Sequence, residues 1–231
     1  MTRRRVLALD GCVNVRDLGG LPLEDGGETL SGVVIRADSI RTLTDEGWRS
    51  LADYGVGLAI DLRGDQELAD DPPRAVPIEV VRFPIDPHDA PIAWEWPSMK
   101  EAYRALLGRF VREFAGVVTT VARADGPVVV HCQGGRDRTG LACGLMLRLA
   151  GVPLDAIAAD HEISDESWEP NNETWFAEAP DDAERERRRR ISAPARGTMA
   201  EVLAELDVRE YLRGGGAIDA DLDTIVLRLR G

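Results

Sequence analysis

Apolar positions along the chain alternate between short continuous runs and longer stretches with helical spacing. Residues 6–9 and 33–35 are brief apolar runs, and Asp17-Leu-Gly-Gly between them reads as a turn. Thr44 stands where it can cap a helix carrying Trp48, Leu51 and Ala52 to about Tyr54, with Gly55 as its stop. Residues 56–62 read as a buried strand ending near Arg63, and residues 78–83 as another, closed by Pro84. From Ser98 to about Ala124, Tyr103, Leu106, Leu107, Phe110, Phe114, Val117, Val118 and Val121 predict one long core-facing helix. Pro127 then opens an apolar strand that feeds into His131 and Cys132. Helical spacing resumes at Arg138 through Leu141, Leu145 and Leu149, with Gly151 past its end and Pro153 beyond. Everything from Leu154 onward reads as helical, the mixed charge run over 181–190 being a solvated face. Strands alternating with helices predict an α/β fold: a mainly parallel central sheet flanked by helices, with a helical C-terminal part. A single domain over 1–231 accommodates it.

Composition narrows this picture. Hydrophobic residues make up 44% of the chain, enough for a substantial core. A formal net charge of −13 argues against nucleic acid or an anionic membrane surface as the main partner. A small positive pocket for an anion remains compatible with it. Three cysteines (Cys12, Cys132, Cys143) make no disulfide framework. No stretch reaches the length of a membrane span, and Asp10 interrupts the arginine-led N-terminus short of a signal-peptide core. The expectation is a cytoplasmic protein without stable membrane insertion.

Residues 131–140, His-Cys-Gln-Gly-Gly-Arg-Asp-Arg-Thr-Gly, carry the chemistry. Cys132 leaves the end of a buried strand, and the chain must wrap round before the next helix begins. Consecutive backbone N–H groups in such a wrap converge on one point and form an anion nest. Gln133, Gly134, Gly135, Arg136, Asp137 and Arg138 would line it, and the helix N-terminus would add its dipole and unpaired N–H groups. Gly134 and Gly135 permit the backbone angles and the close approach. Arg138 offers a planar fork matched to two phosphate oxygens. The donors that receive phosphate also stabilise a thiolate. Cys132 is thus the nucleophile, His131 orients the loop through a backbone contact, and Thr139 can hydrogen-bond the sulfur as it leaves.

At these residues the sequence resembles the cysteine-dependent protein-tyrosine phosphatase superfamily. More narrowly it is similar to the bacterial tyrosine/lipid phosphatases whose loop reads His-Cys-x-x-Gly-Lys-Asp-Arg-Thr-Gly. Asn14-Val-Arg-Asp-Leu-Gly-Gly20, Arg36-Ala-Asp-Ser39 and Ile60-Asp-Leu-Arg63 fit the same subfamily, so the resemblance runs from about residue 12 to 165. It implies hydrolysis of phosphotyrosine, with activity on phosphoserine, phosphothreonine and phosphoinositides open, and neither metal nor other cofactor. Arg136 stands where the subfamily usually has lysine.

The leaving group needs a general acid. Asp137 holds the position where the resembling subfamily carries an aspartate, and it is favoured. Asp86 follows a strand and opens the loop over 85–97, where other tyrosine phosphatases place their acid, and is its rival. Asp61, at a strand's carboxyl end, is a third candidate; it could equally pair with Arg138, and it is favoured as the residue that positions that fork. A phosphorylated protein is the leading substrate and a phosphoinositide the alternative; a phosphate-binding module that has lost catalysis is the non-enzymatic one. Trp94, Trp96, Trp168 and Trp175 either staple loops or belong to a lid, which would span about 160–196. Cys12 or Cys143 could protect Cys132 through a disulfide, but burial explains them more simply. His88 and His161 stand without metal-ligand spacing.

Overall fold

Five strands form one sheet: Arg16–Asp17 (β1), Val34–Ala37 (β2), Leu58–Asp61 (β3), Glu79–Arg82 (β4) and Val128–His131 (β5). Their spatial order is β1-β2-β5-β3-β4, with β1 antiparallel to β2 and every other pair parallel. The computed structural model describes residues 5–70, 72, 78–86, 97–194 and 197–231. Successive side chains of a strand point to opposite faces, and in β2, β3 and β5 both faces are covered, while the edge strand β4 is largely exposed. Val34, Ile60, Val128 and Val130 enter one apolar cluster, while Ile35, Ala37, Ala59 and Val129 enter the other. That is why these strands read as continuous apolar runs.

Ten α-helices are present among the described residues. On one face lies Asp45–Asp53 (α1), whose Thr44 hydroxyl accepts from the Gly47 N–H as its sequence position predicts. Asp65–Asp70 (α2) follows β3. The larger core gathers Met99–Arg109 (α3), Val111–Arg123 (α4), Asp137–Leu149 (α5) and Leu154–Ala177 (α6); Asp182–Ser192 (α7) lies against α6 without a buried residue, and Thr198–Ala204 (α8), Val208–Gly214 (α9) and Asp219–Arg230 (α10) complete that core. Helix α5 is buried from Arg138 to Leu147. Gly151, at φ +85°, ends the chain's path out of α5 in the left-handed region, as expected of a residue just past a helix.

One expectation is corrected. The long helix over 98–124 is two helices, because Phe110 takes φ −113° and ψ 34°. The apolar spacing continues unchanged across the break, so periodicity carries no sign of it. The Leu107 carbonyl, which a continuous helix would bond to Val111, instead accepts from the Tyr211 hydroxyl at 2.8 Å. The apolar run over 6–9 forms one isolated bridge, between Val6 and Arg16. Most of the loop read over 85–97, with His88, Trp94 and Trp96, lies outside the described residues.

Candidate active site

Strand register brings three carboxyl ends together. Ala37 of β2 and Asp61 of β3 both pair with His131 at the end of β5, and Cys132 emerges between them. The loop that follows has its carbonyls drawn outward. Ser39 N–H donates to the Gln133 carbonyl (3.0 Å), Asn14 Nδ2 and Trp168 Nε1 to Gly134 (2.9 and 2.8 Å), and Arg36 Nη2 to Gly135 (2.8 Å). A peptide whose carbonyl points out turns its N–H the other way, and the Gly135 N–H meets Cys132 Sγ at 3.3 Å. The buried His131 ring is held below its usual pKa by burial, and its Nδ1 lies 3.3 Å from the Cys132 carbonyl.

Only one of the two glycines is strictly demanded. Gly135 has φ +65°, and a Cβ there would lie 2.5 Å from the Ala37 carbonyl, which cannot move without breaking β2. A Cβ on Gly134 would meet Trp168 Nε1 at an ordinary 3.7 Å. Gly135→Ala is therefore expected to destabilise the fold by about 2 kcal/mol or more through backbone strain and overlap. Gly134→Ala should cost less than about 1 kcal/mol. Urea unfolding of both variants checks the ordering, and equal losses would contradict it.

Arg138 is buried, and Glu67 of α2 grips it end-on: Glu67 accepts from Nη1 and, at 2.6 Å, from Nη2, while Nη1 also reaches the Ile85 carbonyl at 3.3 Å. Those bonds leave the Nε–H and one Nη2–H side by side on the opposite edge, as a phosphate requires. Burial opposes the charge of Arg138, but Cys132 and Glu67 outweigh it and raise the guanidinium above its ordinary pKa. Asp61, expected to hold this fork, instead binds Arg63, two residues along at the same strand end, with Nε at 3.1 Å and Nη2 at 2.8 Å. Burial pushes Asp61 up, yet Arg63 prevails and keeps its carboxyl below the usual range. Thr139 Oγ1 is buried and has no hydrogen-bond partner among the described residues.

Asp137 opens α5, about a third exposed, and accepts from the Tyr103 hydroxyl at 2.6 Å. Asp86 is buried beside Gly64, where a Cβ would fall 2.1 Å from its Oδ2. The Arg136 guanidinium turns out of the cup. Its Nε pairs with Asp165 of α6 at 2.7 Å, and its two Nη atoms donate to the carbonyls of Ile191 (2.8 Å) and Ala193 (2.7 Å) at the end of α7. The segment over 160–194 is thereby tied to the loop at Arg136 and, through Trp168, at Gly134. Trp175 instead packs at the outer end of α6 under the guanidinium of Arg188.

The sequence model of the tyrosine phosphatase family matches residues 7–231. The chain belongs to the tyrosine phosphatase family. It is 35% identical over 139 residues to a tyrosine-protein phosphatase of Nostoc commune, covering 56% of this chain and 47% of that protein. The chain thus spans about half the length of that relative. It is 26% identical over 197 residues to the triple specificity protein phosphatase of Mycobacterium tuberculosis, covering 70% of each chain.

Several supports of this family member's loop act across the chain. Asp160 of α6 is buried among three arginines: it pairs with Arg5, with Arg16 Nε at 3.1 Å and with Arg36 Nη1 at 2.8 Å. Burial opposes its charge, but the arginines hold its carboxyl far below the usual range. Arg16 also donates to Asn14 Oδ1 (2.6 Å), and the Asp38 carboxylate takes the Val13 and Asn14 N–H groups at 3.1 Å. The N-terminal segment thus reaches the Gly134 carbonyl through a chain of buried bonds. Losing one member of such a buried ionic cluster typically costs about 3–5 kcal/mol, because charges are left unpaired. Glu67, Tyr103 and Asp160 are not marked out by the sequence for these roles. Cys12 and Cys143 have thiols pushed up to about 12, chiefly by burial, so both stay protonated at neutral pH. All three cysteines are free thiols, and no three ligand-type side chains are grouped for a metal among the described residues.

Proposed function

We propose that the chain hydrolyses phosphate monoesters, phosphotyrosine in protein foremost, through a phosphocysteine intermediate on Cys132. One observation carries the reading: the loop's carbonyls are bonded outward while an N–H meets the Cys132 sulfur and Arg138 keeps one edge open beside it. The Cys132 thiolate attacks phosphorus, and the P–O ester bond breaks as Asp137 gives its proton to the departing oxygen. The loop N–H groups of residues 133–138 and the Arg138 fork hold the other oxygens. Water then attacks the phosphocysteine, returning its proton to Asp137, and the thiolate leaves with the unpartnered Thr139 hydroxyl as its donor. Every charge this sequence of steps needs is supplied by the chain's own side chains and backbone.

Asp61 suits the acid role poorly, since Arg63 keeps it ionised. Its part is to hold Arg63 at the strand end. Asp86, buried beside Gly64, is the second choice. A phosphoinositide would call on a further loop cation, and the commitment of Arg136 to Asp165, Ile191 and Ala193 favours a singly phosphorylated group. In this reading the segment over 160–196 covers the loop. No helix among the described residues is long and apolar enough to cross a membrane.

The test compares esters with poor and good leaving groups. Asp137→Asn should lower kcat about 100-fold for an alkyl phosphate or phosphotyrosine peptide, and only a few-fold for an activated aryl phosphate that departs with little protonation. Equal losses on both would remove Asp137 from the acid role. An Asp86→Asn variant showing the split instead would assign that role to Asp86.

A further inference from the structure

Tyr103 is the buried side chain that the mechanism above leaves unused yet that touches its acid. It comes from α3, with no exposure to solvent, and its hydroxyl lies 2.6 Å from Asp137 Oδ1 and 2.9 Å from Nε2 of His161 on α6. The two rings meet edge to face, 5.8 Å between centroids at 89°. Three helices thus converge on one hydroxyl group.

The protons on this chain can be assigned. Burial, reinforced by Asp137, raises the Tyr103 hydroxyl well above its ordinary pKa, so it keeps its proton. Burial and the nearby Arg36 push His161 down to about 3, so its ring is neutral at pH 7. A phenol has one proton to give, and Asp137 Oδ1 takes it at 2.6 Å. The Tyr103 oxygen must then accept from an Nε2–H of His161, which leaves Nδ1 bare. Nδ1 has no hydrogen-bond partner and faces Gly140, where a Cβ would fall 2.5 Å from it. An N–H at that place would be an orphaned donor, and such groups are rare in folded proteins. The direction is therefore His161 to Tyr103 to Asp137.

We propose that Tyr103, oriented by His161, is a positioning residue for Asp137: it occupies Oδ1, so that Oδ2 is the oxygen that carries the proton to the leaving group. The inference rests on Asp137 being the acid. When Oδ2 is protonated, Oδ1 accepts as a neutral carbonyl; as the proton leaves, the same bond becomes charge-assisted and about twice as strong. The gain falls in the transition state, where it lowers the barrier. It also locks the carboxyl rotamer, which an exposed aspartate would otherwise sample freely.

Tyr103→Phe removes only the hydroxyl from a filled site. It is expected to lower kcat on a phosphotyrosine peptide about tenfold and on an activated aryl phosphate about twofold, with KM little moved. Adding the change to Asp137→Asn should deepen the leaving-group split no further. His161→Gln, which keeps an N–H near Nε2, should retain most of the activity that His161→Leu loses, with thermal melts confirming that both fold. If Asp137→Asn shows the split and Tyr103→Phe loses the same factor on both esters, the inference is overturned while the acid role stands. If Asp137→Asn shows no split, the acid reading itself has failed. Additive losses in the double variant also overturn the positioning role.

Discussion

Cys132→Ser is expected to abolish turnover, by about 10⁴-fold or more, while the protein keeps its fold and its affinity for phosphate. A serine hydroxyl does not ionise in this cup at neutral pH, and no base stands ready to activate it. His131 is buried, held below its usual pKa, and its Nδ1 is turned to the Cys132 carbonyl. The outward bonds from Asn14, Trp168 and Arg36 to the loop carbonyls do not involve the sulfur, so the nest survives the change. Removing a negative sulfur from a cup that receives a dianion should leave phosphate binding equal or tighter. Titration calorimetry with inorganic phosphate measures that, and acid-quenched reactions with labelled substrate should trap a phosphoenzyme in the parent protein alone. Turnover within tenfold of the parent would refute the thiol mechanism.

The loop was legible in the sequence because its parts are contiguous. Glycine at 135, arginine at 138 and the strand before Cys132 each impose a local geometry, and the structure places them in register. Gly135 shows the limit of such reading: its neighbour Gly134 looks equivalent, and only the folded chain separates them, through the positive φ of Gly135 and the Ala37 carbonyl lying against it. What stayed hidden acts at a distance. Glu67 grips Arg138 from 71 positions away, and nothing in its own sequence segment distinguishes it from the exposed acidic residues around it. Arg16 and Arg36 stand inside segments that matched the family, but their purpose depends on Asp160, 144 and 124 positions on. Arg136 was read as a phosphate contact because its backbone lies in the nest. Its side chain had no such constraint, and the carbonyls ending α7 captured it. The break at Phe110 escaped notice for a related reason: both helices present apolar faces to the same core, so the pattern runs on through the bend.

Replacing Arg138 with lysine should lower kcat/KM about 10²–10³-fold, with most of the loss in kcat. Lysine keeps the charge but is a point donor. It cannot meet Glu67 with two nitrogens and also offer two parallel N–H groups on another edge. The geometry of Arg138 makes a second expectation about Glu67. Its carboxylate uses both oxygens on the guanidinium, and one also accepts the Gly64 N–H at 2.9 Å. Burial raises the Glu67 carboxyl, but Arg138 holds it below its ordinary range, so it remains a carboxylate through the neutral pH range. Glu67→Gln replaces one acceptor oxygen with a donor that faces the arginine, so the fork loses its fixed angle. A loss of about tenfold or more in kcat is expected, without the leaving-group split that marks an acid. In the Arg138→Lys background the same Glu67→Gln change should cost far less, since residues acting as one unit are not additive. A kinetic cycle over the four proteins measures the coupling. Full additivity would mean that Glu67 supports the fold of α2 and not the orientation of the fork.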